Sequence, residues 1–169
     1  MTNLSQAGGG GRPQPPALAL FEPEIAPNVA AAIRLAACLA VPLHLIEPLG
    51  FVLDPRRLRR VAMDYAAEAT LHRHASFEAF EAWRLGAGRR LILMSTAARS
   101  SHLELAYRPG DVLLAGSEST GVPAAVGARA THAVRVPLAA RTRSLNVVTA
   151  AAIVLGEALR QLDAFPERP

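Results

Sequence analysis

The sequence predicts a single α/β domain: a largely parallel sheet flanked by helices, spanning residues 17–163 between an N-terminal tail (1–16) and a short C-terminal tail (164–169). Three observations lead there. The chain has 169 residues and is 51% apolar, which suits one domain with a real core. Short apolar runs closed by proline or glycine alternate with longer segments of helical composition. That alternation is the signature of parallel strands joined by helical crossovers.

The elements follow in order. Met1 to Pro16 carries four consecutive glycines and three prolines and reads as a disordered tail. Ala17 to Phe21 is a strand, broken at Glu22-Pro23. Pro27 suits a first helical turn, and the helix continues from Asn28 to Ala40. Leu43 to Ile46 is a second strand, ended by Glu47-Pro48. Asp54-Pro55 reads as a cap opening an arginine-rich helix. Ala69 to His74 is a third strand, and Ser76 caps a helix to about Leu85, stopped by Gly86 and Gly88. Arg90 to Ser95 and Asp111 to Ala115 are strands, Pro123 to Ala130 is a short helix, and Ala133 to Val136 is a strand ended by Pro137. The final helix runs from Ser144 to about Asp163.

Between Leu145 and Leu155 only Asn146 and Thr149 are polar. A helix apolar all round is buried all round, with core on one side and a partner on the other, so a homodimer is expected. The single cysteine, Cys38, excludes an internal disulfide and a cysteine-rich zinc site; in an alanine-rich run it reads as a small buried hydrophobe. No run approaches the ~20 apolar residues of a membrane span, and the N-terminus lacks the apolar core of a signal peptide. A soluble, cytoplasmic protein without a membrane partner is therefore expected.

The formal net charge is +4, carried by arginine with no lysine. A basic balance points weakly to nucleic acid. The sharper feature is local: Arg56, Arg57, Arg59 and Arg60 surround Leu58, a set suited either to phosphates or to a solvated helix face.

Common catalytic motifs are missing. Gly116 to Gly121 has the glycine spacing of a phosphate loop, but Val122 and Pro123 replace its lysine and its Ser or Thr, which excludes an NTPase. No GxGxxG follows a strand. The histidines show no cluster with ligand spacing; His72 and His74 share a strand face without a third ligand, so no metal site is expected.

Sheets of this type bind ligands beyond the carboxyl ends of their strands. Three such segments hold unusual residues. The first is Glu22 to Asn28, followed by Arg34; Asn28 and Arg34 are about 240° apart around a helix and do not share a face. The second is Leu113 to Pro123, where glycines after a strand let backbone approach a ligand. The third is Val136 to Asn146, where Ser144 and Asn146 open a helix whose free N–H groups suit a carboxylate or a ribose hydroxyl. Each alone is equally an ordinary cap or turn.

In this order they resemble a family. FEPEIAPN with Arg34, LHLIEPLGF with DPRRLRR and Asp64-Tyr65, GSESTGVP, and RVPL with RSLN are similar to the SPOUT, or α/β-knot, RNA methyltransferases, over about Ala17 to Leu162. The likeness is strongest to the small bacterial tRNA wobble-nucleotide 2′-O-methyltransferases, the TrmL/YibK-like group. It implies a five- or six-stranded parallel sheet with a C-terminal deep trefoil knot, and dimerisation through the first and last helices. It implies S-adenosylmethionine as methyl donor, S-adenosylhomocysteine as product, and no metal. By position, Met94, Gly116, Val136 and Ser144 line the cofactor, with Glu118, Leu138, Leu145 and Asn146 near it. Arg34 is implied at the target nucleotide, often across the dimer interface. Because arginine stays protonated, we read it as anchoring phosphate and stabilising the developing alkoxide rather than as a base.

Asn28, Ser144 and Asn146 would orient the ribose and the loop, and Arg56, Arg57, Arg59, Arg60, Arg141 and Arg143 would hold the tRNA backbone. Where close members carry glycine and then asparagine, this chain has Ala30 and Ala31, which removes a polar group near the implied site. The alternatives are a related enzyme with another tRNA or rRNA target and a non-catalytic binder of RNA or cofactor.

Overall fold

The structure, a computed structural model, describes residues 13–52 and 69–167. Its elements are β1 (Ala17–Phe21), α1 (Ala26–Cys38), β2 (Leu43–Ile46), β3 (Leu71–His74), α2 (Phe77–Gly86), β4 (Leu91–Met94), β5 (Ser100–Ser101), β6 (Val112–Ala115), α3 (Ala124–Gly127), β7 (His132–Arg135) and α4 (Val147–Gln161). They form a seven-stranded sheet in the order β3-β2-β1-β6-β4-β7-β5, and every pairing within it is parallel. The expected count of five or six strands is therefore corrected. The extra strand, β5, is two serines at the sheet edge, with no apolar pattern to announce it.

β1, β2 and β6 are buried along their whole length, the pattern of strands covered on both faces. Alternation divides β1 between two cores. Leu18 and Leu20 join Val29 and Ile33 of α1 and Val154 and Leu155 of α4 on one face. Ala17, Ala19 and Phe21 join Phe80 of α2 on the other. The helix α1 presents Val29, Ala32, Ile33 and Ala36 to the core, one stripe at helical spacing. Cys38 lies off that stripe and is exposed, which corrects its reading as a buried hydrophobe.

The cap of α2 is as expected: the Ser76 hydroxyl accepts from the Ala79 N–H at 3.3 Å. For α4 the start moves. Asn146, not Ser144, is the N-cap, and its Oδ1 accepts from the N–H groups of Val148 at 2.9 Å and Thr149 at 3.3 Å. The asparagine sits directly before the first helical residue, so the earlier serine is left in the loop. The apolar stretch of α4 is divided between two environments. Ala151, Val154, Leu155, Ala158 and Leu159 form the buried face, while Leu145, just ahead of the helix, and Ile153 within it stay 37% and 39% exposed.

Strand register brings three of the histidines together. The pairing of β2 with β3 sets His44 beside His72, their rings stacked at 4.7 Å, and places His44 Nδ1 2.9 Å from His74 Nε2. Trp83 of α2 covers the group, 4.1 Å from the His44 ring. Among the described residues no set of three or more His, Cys, Asp or Glu is arranged to hold a metal ion. Burial, then the neighbouring His72, His74 and Arg89, push the His44 pKa down to about 3. This cluster lies on the α2 face, away from the loops described next.

Candidate active site

β1 pairs with β6, β6 with β4, and β4 with β7, in a register that ends Phe21, Ala115, Met94 and Arg135 at one edge. The chain leaves all four strands there. A cleft of about 750 Å³ opens at this edge, within the usual range for small-ligand sites. Its floor is apolar, from Leu93, Val134 and Val154 among others, and Asn28, Glu118, Ser144 and Asn146 supply polar groups to its lining.

The loop after β6 is shaped by two glycines. Ser117 and Gly121 exchange backbone hydrogen bonds at 2.9 and 3.0 Å, closing a tight turn. Gly121 has φ 71°, a left-handed conformation that favours glycine. A Cβ on Gly116 would lie 2.4 Å from the Gly121 carbonyl carbon, so no side chain fits there. The turn therefore needs glycine at both ends.

Three distant segments are tied together at the rim. Asn28 Nδ2 donates to Glu118 Oε1 at 2.8 Å. Asn146 Nδ2 donates to Asn28 Oδ1 at 2.9 Å. The Glu24 N–H donates to the other oxygen of Glu118 at 2.8 Å. The loop after β1, the loop after β6 and the start of α4 are thus one hydrogen-bonded unit, with Asn28 at its centre.

Of the residues singled out in the sequence, Met94, Gly116, Glu118, Val136, Leu138, Ser144, Leu145, Asn146, Asn28 and Arg143 all line the cleft. Arg34 is exposed on α1 and does not line it, in keeping with the angular separation of Asn28 and Arg34. Arg141 is exposed in the β7–α4 loop, outside the lining. Arg56, Arg57, Arg59 and Arg60 lie outside the described residues, as do the cap at Asp54-Pro55 and the segment Asp64-Tyr65. Ala30 is buried at 4% exposure and packs in α1, whereas Ala31 is exposed and away from the cleft lining. Sequence reasoning passed over Glu24 and Ser119. Both stood inside the quoted motifs, but nothing in the sequence showed that they meet.

The lining suits a nucleoside-type cofactor. Apolar side chains give a floor for an aromatic base, the glycine turn brings backbone close, and the polar rim offers partners for hydroxyl and amino-acid groups.

Fold and cleft together define an α/β domain with a candidate ligand site at the carboxyl edge of a parallel sheet, and the sequence places it more closely. The profile of the SpoU rRNA Methylase family matches residues 15–156, and the chain belongs to that family. A relative from Beijerinckia indica, named tRNA (cytidine(34)-2′-O)-methyltransferase, is 51% identical over 148 residues, covering 88% of this chain and 92% of the relative. A solved structure described as giving structural insights into the 2-OH methylation of C/U34 on tRNA superposes with a TM-score of 0.83 at 40% identity, covering 89% of this chain and 98% of that one. An AdoMet-bound rRNA methyltransferase from Sinorhizobium meliloti superposes with a TM-score of 0.80 at 27% identity, covering 89% of this chain and 57% of its own.

Proposed function

We propose that this protein transfers a methyl group from S-adenosylmethionine to the ribose 2′-hydroxyl of the wobble cytidine or uridine, position 34, of tRNA. The observation that carries the reading is the Glu118–Asn28–Asn146 chain of hydrogen bonds at the cleft. It joins the three segments on which the family resemblance rests, and relatives similar to this chain are named for this reaction.

Met94, Gly116, Val136, Leu138, Ser144 and Leu145, all in the cleft lining, would hold the cofactor through apolar side chains and backbone groups. Bound S-adenosylmethionine supplies a methyl group already activated by its sulfonium, so the chemistry asks for no metal. The protein's task is alignment and care of the hydroxyl proton and its charge. Glu118 acts on Asn28: with its carboxylate occupied by Asn28 and the Glu24 N–H, it fixes the Asn28 amide. Asn28 and Asn146 then present a pre-set polar rim to the ribose, and Ser144 lies beside them.

Arg34 holds the target phosphate and stabilises the developing alkoxide as a permanent cation. Its place outside the cleft of its own chain is accounted for by a homodimer in which the partner subunit brings its arginine to the site. The partly exposed Ile153 of α4 provides apolar surface for that association. Arg56, Arg57, Arg59, Arg60, Arg141 and Arg143 bind the tRNA backbone, which fixes register without reading sequence. The catalytic domain spans residues 17–163 between two tails, its C-terminal part is threaded as a trefoil knot, and the enzyme works in the cytoplasm on its tRNA substrate. No helix among the described residues is long and apolar enough to cross a membrane.

The test is transfer of labelled methyl from S-adenosylmethionine to bulk tRNA from a strain lacking the protein. The expected result is label in alkali-resistant dinucleotides, the mark of a 2′-O-methyl ribose. Cofactor binding without label on any RNA would leave a non-catalytic binder as the better reading.

A further inference from the structure

The Glu24 carboxylate has no role in the mechanism above, yet the loops after β1, β2 and β6 all meet at this residue. Its carboxylate accepts from the Ser119 N–H at 3.0 Å and from the Ser119 hydroxyl at 2.6 Å. Its own N–H donates to the Glu118 carboxylate at 2.8 Å. The exchange is reciprocal: each glutamate carboxylate takes up an N–H from the other's loop. The two bonded segments are 95 residues apart in sequence.

The rest of Glu24 is fixed from below. The Gly50 N–H donates to the Pro23 carbonyl at 3.0 Å. Gly50 lies so close that a Cβ on it would come within 2.8 Å of the Glu24 Cα. The loops after β1, β2 and β6 thus converge on one residue, and its backbone has little room to move. Glu22, two residues earlier, has φ 43° and turns the chain out of β1 toward this junction.

The other end of the contact is the apex of the glycine turn. Ser117 and Gly121 close that turn at its base. Among the described residues, the hydrogen bonds of Glu118 and Ser119 that leave the turn all run to Glu24 and Asn28. Charged acceptors on two donors make the Glu24–Ser119 contact the stronger kind of hydrogen bond.

We propose that Glu24 is a positioning residue that clamps the apex of the 116–121 turn and so pre-forms the cofactor cleft. It acts through Ser119 and not by touching the cofactor; Glu24 is not part of the cleft lining, whereas Ser119 is. Without the clamp the turn has more conformations to lose when a ligand binds, and affinity falls by that ordering cost. The inference rests on the reading of the cleft as an S-adenosylmethionine site.

The test is calorimetric titration of S-adenosylmethionine and S-adenosylhomocysteine into the intact wild-type protein and into Glu24→Ala, Glu24→Gln, Ser119→Ala and the Glu24→Ala/Ser119→Ala double variant. Amide hydrogen exchange is followed at residues 117–121. Glu24→Ala raises both dissociation constants roughly tenfold, the scale of a lost charged hydrogen-bond pair. Glu24→Gln keeps an acceptor and falls between the two. Ser119→Ala costs about threefold, since its N–H contact survives. The double variant is no worse than Glu24→Ala, because both remove one interaction. Exchange quickens in the turn while the melting temperature holds, as expected of an exposed contact. Unchanged affinities in Glu24→Ala, or effects that simply add in the double variant, would overturn the clamp alone. A wild-type protein that binds neither compound would overturn the cofactor reading and this inference with it.

Discussion

Asn146 donates to Asn28 across 118 residues of chain, at 2.9 Å, with the same side chain whose oxygen caps α4. One amide therefore serves two ends. Its oxygen is committed to the helix and its nitrogen to the site. Asn28 is likewise committed on both sides, to Glu118 and to Asn146. Neither amide can turn over without losing a bond, so the rim of the cleft has one arrangement.

Asn146→Asp separates these duties. The aspartate keeps the capping oxygen, which is worth about 1 kcal/mol to a helix, and replaces the donor with a second acceptor facing Asn28. The melting temperature should stay near that of the wild type, while kcat/KM for methyl transfer falls roughly tenfold or more, about 1.4 kcal/mol at the barrier. Equal loss of stability and activity would assign Asn146 to the helix only.

Gly116→Ala tests the glycine turn. Its Cβ would meet the Gly121 backbone at 2.4 Å, and neither partner is a flexible side chain that can yield. The turn must open, and cofactor affinity measured by calorimetry should fall at least about tenfold. Wild-type affinity in this variant would show that the turn does not shape the cleft.

Acid should weaken the fold through His44. The ring is fully buried, and burial, His72, His74 and Arg89 bring its pKa from 6.5 to about 3. Above 6.5 the ring is neutral folded and unfolded, and stability is at its full value. As pH falls below that, only the unfolded chain takes up the proton, so stability declines, by up to about 1.4 kcal/mol per pH unit from this group, until the folded pKa is passed. His74 is shifted the same way, by burial and then by His72. Urea denaturation at pH 7 and pH 5 should show this slope, and His44→Leu should flatten it. An unchanged slope in the variant would place the acid sensitivity elsewhere.

Arg34 and the cleft should complement each other between subunits. A mixed dimer of Arg34→Ala and Gly116→Ala chains has one site carrying both lesions and one carrying neither, if the partner supplies the arginine. Activity should rise well above that of either homodimer on mixing. No recovery in a verified mixed dimer would put Arg34 to work within its own chain.

How much of this was legible in the sequence depends on range. β1, β2 and β6 announced themselves, because a strand buried on both faces must be apolar throughout. The Ser76 cap was local and was read correctly. The start of α4 was not, since Ser144 and Asn146 are both good caps and only the chain's path chooses between them. Ser100–Ser101 is a strand by position at the sheet edge, not by composition. The histidine cluster and the Glu24–Ser119 contact depend on strand register and loop proximity over 30 and 95 residues, which no local pattern carries. Motif order pointed to ten residues that line the cleft and also to Arg34 and Arg141, which do not. Their geometry, above all that Glu118 grips Asn28, came only with the fold.

The most direct test of the central claim is mass spectrometry of anticodon fragments of tRNA from cells lacking this protein, with the gene restored as wild type or as Arg34→Ala. The account predicts a 2′-O-methyl ribose at nucleotide 34 with the wild type, and its loss or near loss with Arg34→Ala. Methylation absent from position 34 in the restored strain, or undiminished in the variant, would contradict it.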